Sequence, residues 1–345
     1  MSDPSTLIPV HVLTGFLGSG KTTLLNHALL AGFGADTAVI VNEFGDVGLD
    51  QLFVQTRSQE TIVLKSGCVC CTIRSDLVTT LLALIAQRGA APPFRRILIE
   101  TSGITDPLPI LQTLRSDFNL RTRFRAGSVV CTVGATDGAP WEHRAEGLAQ
   151  ITAADAVVIT KRDLVDDDAA HAVESAVAGL NPLAHIVPAA QLVGWLEHEE
   201  QRGDEPQRVL QMPLLRPTLR ARPHGIRSAV IRAAAPVSWP QFAIWLTRLV
   251  YVHGDRILRT KGVLFDRERE LWIGVHGVRR FFHPPVHLTL PAPPDCGACL
   301  VFITERLDPA LIENSYRRLV GDHPAPSHPP QQQLVAADSW KASVP

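Results

Sequence analysis

The chain has no excess of charge of either sign, no apolar run long enough to cross a bilayer, no internal repeat and no polyhistidine tract. Its 345 residues carry 33 lysines and arginines against 34 aspartates and glutamates, a formal net charge of −1. That balance removes the global basic field that accompanies nucleic-acid binding or attachment to an anionic membrane surface. No apolar stretch approaches the about 20 residues a membrane helix needs. Met1 to Pro9 also lack the basic segment and apolar core of an export signal. The expected compartment is cytoplasmic, with neither nucleic acid nor membrane as partner; composition fixes no oligomeric state. Cysteines are few, six in all, yet three fall within four positions. In a cytosolic chain such crowding reads as metal-binding or redox thiols rather than as a disulfide framework.

What is present is an alternation of strand and helix signals. Leu7 to Leu13 is an apolar strand, and Lys21 to Leu30 reads as a helix entered through glycines. Short β-rich runs follow at Ala38 to Val41, Thr61 to Leu64, Arg96 to Ile99, Ser128 to Val133 and Ala156 to Ile159. Helical patterns lie between them at Asp76 to Gln87 and Ala169 to Ala178. Apolar strands separated by helices predict an α/β P-loop domain over residues 1–196, a doubly wound, mostly parallel sheet covered on both faces. Ligands then gather at the carboxyl ends of the strands.

From Glu197 to Gly225 the composition turns to glutamate, arginine, glutamine and proline, the signature of a linker. A second, smaller α+β domain is expected over residues 226–320. It opens with a strand at Ser228 to Ala233, then a helix from Ser238 to Val252 with Phe242, Trp245, Leu246 and Leu249 on one face. Strands at Gly262 to Phe265, Leu271 to Val275 and Leu300 to Thr304 precede a helix from Asp308 to Val320. Residues 321–345 are rich in proline and glutamine and are expected to form a disordered tail.

The chemistry concentrates in a few segments. Gly15-Phe16-Leu17-Gly18-Ser19-Gly20-Lys21-Thr22, followed by Thr23, fits the Walker A pattern, in which backbone N–H groups surround phosphate oxygens because side chains are absent. Lys21 would meet the β and γ phosphates. Thr22 would give its hydroxyl oxygen to Mg²⁺, and the following helix offers its positive end to the anion. Glu100 ends the run Arg96 to Ile99 and is followed by Thr101, Ser102 and Gly103. That arrangement can hold Mg²⁺ through water and sense a γ-phosphate through the Gly103 amide, making Lys21, Glu100 and Gly103 the catalytic candidates. Thr160-Lys161-Arg162-Asp163 is similar to the guanine-reading motif Asn-Lys-x-Asp. Asp163 can accept two hydrogen bonds that guanine donates and adenine does not, favouring GTP, with Lys161 beside it. Thr160 in place of asparagine removes an amide that helps fix this loop.

Cys68, Cys70 and Cys71 lie between a strand and a helix, where a helix N-terminus favours thiolates. Three soft ligands suit Zn²⁺, and also Co²⁺ or Cu⁺. A structural zinc site has four protein ligands, so three leave a place for water, a distant side chain or an acceptor's residue. Glu43, in the carboxylate-rich loop Asn42 to Asp50, is a candidate to complete that site or to act near Mg²⁺. Cys296 and Cys299 form a lone C-x-x-C, read as core or edge cysteines ahead of half a zinc site or a redox pair. His276, His283 and His287 read as packed or solvated, and Cys131 as core.

Together these segments resemble the CobW-type metallochaperone GTPases, relatives of the GTPases that help insert nickel into urease and hydrogenase. The resemblance covers the phosphate loop, Asn42 to Asp50, Gly67 to Cys71, Glu100 to Gly103 with Asp106-Pro107, and Thr160 to Asp163. It extends to Gly254-Asp255, Leu258-Arg259, Lys261-Gly262 and Leu300 to Ile303. It implies a cytosolic protein that binds GTP and Mg²⁺, loads zinc or cobalt on the cysteine triplet, and delivers it to a metal-requiring client while hydrolysing GTP. The histidine-rich linker of many relatives is absent between Glu197 and Gly225. Two other readings stay open: a P-loop phosphotransferase with a structural metal site, and a metal-responsive, GTP-switched binding module.

Overall fold

The computed structural model describes residues 7–43, 61–65, 72–86, 94–137, 144–202, 225–288 and 297–321. The first domain runs β1 (Ile8–Gly15), α1 (Lys21–Leu30), β2 (Thr37–Glu43), β3 (Thr61–Lys65), α2 (Thr72–Ala86), β4 (Arg96–Glu100) and α3 (Leu108–Ser116). It continues through β5 (Phe124–Gly134), α4 (Ala145–Ala153), β6 (Ala156–Thr160), α5 (Asp167–Leu180), β7 (His185–Ile186) and α6 (Leu192–Arg202). The seven strands form one parallel sheet in the order β3-β2-β4-β1-β5-β6-β7. All five residues of β4 are buried, as are seven of eight in β1. Unbroken burial of this kind follows from helices on both faces of a parallel sheet.

The sequence pattern misses α3, α4 and α6. Helix α6 continues to Arg202, beyond Glu197, where composition starts a linker. Its charges are not a solvated run. Glu200 Oε1 accepts a hydrogen bond from His11 Nε2 at 2.8 Å and lies 2.9 Å from Arg96 Nε. The ring tautomer follows from its other side, where His11 Nδ1 accepts the Ser128 N–H at 3.0 Å. His11 and Arg96 are buried in the sheet, and the polar face of α6 supplies a partner to each, alongside the Ser128 N–H for His11 and Asp36 for Arg96.

The second domain comprises β8 (Ile226–Ala233), α7 (Trp239–His253), β9 (Ile257–Asp266), β10 (Leu271–Val278), β11 (Phe281–Phe282), β12 (Val286–Leu288), β13 (Ala298–Glu305) and α8 (Pro309–Leu319). Its antiparallel sheet has the order β11-β10-β9-β13-β8, with β12 also paired to β10. Along β13 the two faces alternate. Leu300 and Phe302 pack with Phe242, Trp245 and Leu249 of α7 and with Ile312 and Tyr316 of α8. Cys299, Val301 and Ile303 face the first domain and share one core with Leu148 and Ile151 of α4 and Val173 and Val177 of α5. The domains are joined by a continuous apolar interior.

One buried cation crosses that interior. Arg259 of β9 is fully buried and donates from Nη1 to the carbonyls of Ala154 (2.9 Å), Thr152 (3.4 Å) and Ala153 at the end of α4. Its Nη2 pairs with Asp155, whose other carboxylate oxygen accepts the Val129 N–H at 2.9 Å. A guanidinium at a helix C-terminus meets both the free carbonyls and the negative end of the dipole.

Two outcomes follow. Arg259→Ala takes the buried guanidinium from the Asp155 carboxylate and from the Ala153 carbonyl, and is expected to cost about 3–5 kcal/mol of stability in chemical denaturation. Glu200 generates a pH dependence. Burial alone would raise its carboxyl, but the His11 hydrogen bond and the Arg96 and Arg125 guanidinium groups outweigh burial and hold it below the usual carboxylate range. Its contribution is therefore complete above the unfolded value of 4.5 and lost as pH falls through the lower folded value. The stability difference between wild type and Glu200→Gln should shrink below that pH in acid-titrated denaturation curves.

Candidate functional site

The phosphate loop lies where β1 hands over to α1, at the carboxyl edge of the sheet. Gly20 caps α1 in the left-handed conformation, φ 87°, and no side chain caps the helix. The first N–H groups of α1 are thus left for an anion. Lys21 Nζ folds back onto the loop, donating to the carbonyls of Gly15 (2.9 Å) and Phe16 (3.3 Å). A Cβ at Gly18 would meet no atom within 4 Å. Ser19 Oγ and Thr132 Oγ1 are 2.6 Å apart and buried, tying the loop to β5. Thr23, in the first turn of α1, is exposed.

Beside the loop, the Thr22 hydroxyl donates to Glu100 Oε1 at 2.7 Å. A hydroxyl and a carboxylate oxygen converging beside a phosphate loop are the hard donors Mg²⁺ prefers, so these residues fit that ion. Glu100 is brought there by register: it pairs with Leu13 of β1 on one side and Val41 of β2 on the other. The segment after Glu100 is also tied down. Thr101 N–H donates to the Leu13 carbonyl at 2.9 Å, and its hydroxyl to Thr14 Oγ1 at 2.9 Å. Gly103 then meets the phosphate loop directly, since a Cβ there would lie 2.7 Å from Leu17 Cα and N. Only glycine allows that approach.

Gln150 of α4 completes this turn and was not legible as a site residue. Its Nε2 donates to the carbonyls of Gly103 (3.1 Å) and Thr105 (3.0 Å), and the side chain is fully buried. The only signal in the sequence is one amide among the apolar residues of Ala145–Ala153.

The guanine-reading candidates sit at the end of β6. Lys161 is in the left-handed conformation, φ 57°, and Asp163 lies exposed in the following 3₁₀ turn. Thr160 does fix this loop, by a different bond from the amide it replaces: its hydroxyl donates to the Ser19 carbonyl at 2.7 Å.

Cys68, Cys70 and Cys71 lie outside the described residues, as does Cys296. Their flanks are described. β3 ends at Lys65, α2 begins at Thr72, and Lys65 pairs with Glu43 at the end of β2. Among the described residues no group of three or more His, Cys, Asp or Glu side chains could hold a metal ion. Cys131 is buried, and burial pushes its thiol up to about 12 against the lowering influence of Lys21. Cys299 is fully buried in the shared core. His276 and His283 stack with centroids 4.3 Å apart, and His283 meets Arg115 of α3. His287 is exposed on β12.

Gly103→Ala is expected to push the turn off Leu17 and slow GTP turnover by about 10²-fold, the scale of a 1 Å misplacement. GDP affinity should hold, and single-turnover hydrolysis with GDP titration checks both.

Two family descriptions match the chain: "CobW/HypB/UreG, nucleotide-binding domain" over residues 9–188 and "Cobalamin synthesis protein cobW C-terminal domain" over residues 226–320. The zinc chaperone YjiA of Escherichia coli is 30% identical over 286 residues, covering 80% of this chain and 87% of that protein. The zinc-regulated GTPase metalloprotein activator 1 of Schizosaccharomyces pombe is 32% identical over 188 residues, 52% of this chain. The match spans only 45% of that yeast protein's length. The zinc-bound crystal structure of E. coli YjiA shares the fold, with a TM-score of 0.69 at 24% identity, over 91% of this chain and 99% of that one. By its phosphate loop, its parallel sheet and both matched domains, the chain belongs to the CobW/HypB/UreG family of P-loop GTPases.

Proposed function

We propose that the chain is a GTP-dependent zinc chaperone that holds its cargo on Cys68, Cys70 and Cys71 and releases it to a metal-requiring client as GTP is hydrolysed. The observation that carries this reading is the strand order β3-β2-β4-β1. At the carboxyl edge it sets the Lys65 end of β3, the Glu43 end of β2, Glu100 of β4 and the phosphate loop after β1 in one row. Three strand spacings separate the first from the last, about 14 Å. The six residues 66–71 that carry the cysteines leave from the first of these ends. Relatives named zinc chaperone and zinc-regulated activator support zinc as cargo, with cobalt the next candidate by ligand softness.

In this reading Gly15, Gly18, Ser19, Gly20, Lys21, Thr22 and Thr23 cradle the phosphates, and Lys21 exchanges its two carbonyl partners for phosphate oxygens. Thr22 and Glu100 hold Mg²⁺, which when bound neutralises charge on the phosphates. Asp163 and Lys161 select guanine, with the loop pinned to Ser19 through Thr160. Gly103 offers its amide to the γ-phosphate, while Glu43 reports the same event to the cysteine segment through its pairing with β3. Moving a site from mostly open to mostly closed takes about 5.5 kcal/mol of differential binding. A few charge-assisted phosphate contacts at about 1.5–3 kcal/mol each supply that. The cytoplasm is the proposed compartment; among the described residues, no helix is long and apolar enough to cross a membrane.

Zinc titration of the wild type and of a Cys68→Ser, Cys70→Ser, Cys71→Ser triple variant tests the cargo site. The wild type should take up zinc about 100-fold more tightly than the triple variant. Equal zinc binding by the two proteins would overturn the reading.

A further inference from the structure

Helix α4 touches both the turn after Glu100 and the second domain's buried arginine. At its middle, Gln150 donates both hydrogens of its amide to the carbonyls of Gly103 and Thr105. The orientation of that amide is dictated: turned over, its oxygen would face two carbonyl oxygens. Its Oε1 is buried with no hydrogen-bond partner among the described residues. An apolar side chain of similar size would leave no such acceptor unpaired, so packing alone does not explain an amide here.

The carboxyl end of α4 is clamped from two sides. Asn181, which follows α5, donates from Nδ2 to the carbonyls of Ile151 (2.7 Å) and Ala154 (2.9 Å). Arg259, from the second domain, takes the carbonyls of Thr152, Ala153 and Ala154. The helix is therefore held along its axis by β9 while its middle residue holds the turn that carries Gly103.

We propose that Gln150 is a positioning residue for γ-phosphate sensing: it fixes the Gly103 to Thr105 turn against the phosphate loop, and Arg259 sets its position through α4. This rests on the GTPase reading above. It adds a residue to that reaction and gives the second domain a direct hold on it.

Gln150→Leu removes both donors while keeping bulk, and Gln150→Glu replaces them with a carboxylate that donates only when protonated. Hydrogen exchange of residues 101–107 in nucleotide-free protein should accelerate about tenfold in Gln150→Leu, the scale of two lost hydrogen bonds, with β1 and β5 unchanged. GTP turnover should fall while GDP affinity stays within about twofold, because a diphosphate lacks the group the turn senses. The turnover of Gln150→Glu relative to wild type should rise as pH is lowered, since protonation restores one donor. Arg259→Lys keeps the charge but loses the planar fork, and should raise exchange at 101–107 by a smaller factor.

Unchanged exchange at 101–107 in Gln150→Leu would overturn the proposal, as would a parallel fall in GDP affinity and global stability, which a purely structural role predicts. No change in Arg259→Lys would remove the second domain from it. A wild type that does not hydrolyse GTP would defeat the GTPase reading, and the exchange measurement would still decide whether Gln150 holds the turn.

Discussion

β4 lies between β1 and β2 with Glu100 opposite Leu13 on one side and Val41 on the other, and the site depends on that register. A slip of one residue would turn Glu100 to the other face of the sheet and move the following turn away from the loop. In place, it puts a carboxylate 2.7 Å from the Thr22 hydroxyl and brings Gly103 against Leu17. The register is fixed by five buried residues packed on both faces, so the geometry of the phosphate site is inherited from the core rather than from the loops alone.

The second domain is part of the same rigid arrangement. Its β13 is apolar on both faces because its own helices cover one and α4 and α5 cover the other. Removing the second domain would open the core that Leu148 and Ile151 share with β13 and take the Arg259 guanidinium from Asp155. An interface of that character packs like a core, so moving the two domains apart would expose buried apolar surface.

The sheet was legible because its strands are short, apolar and spaced by helices, and the phosphate loop because its chemistry leaves little freedom in residue type. Helix α4 was not: nine residues with a glycine at Gly147 and an amide at Gln150 carry too few periodic positions to stand out. Helix α6 reads as linker at Glu197 to Arg202 because its glutamates look solvated until His11, 189 residues away, is placed beside Glu200. Thr160 carries a similar lesson. Sequence shows the lost asparagine amide, while the bond that takes its place, to the Ser19 carbonyl, spans 141 positions and emerges only on folding. The cysteine triplet is read from composition alone and lies outside the described residues, in the segment between the end of β3 at Lys65 and the start of α2 at Thr72.

The central claim is that nucleotide state, read at Glu100 and Gly103, reaches the cysteine segment through β2 and β3. It is tested most directly by measuring zinc affinity with Mg²⁺ and either GDP or a non-hydrolysable GTP analogue. The account predicts zinc at least about tenfold tighter with the analogue, a coupling of about 1.4 kcal/mol. Equal affinities in the two nucleotide states would contradict it.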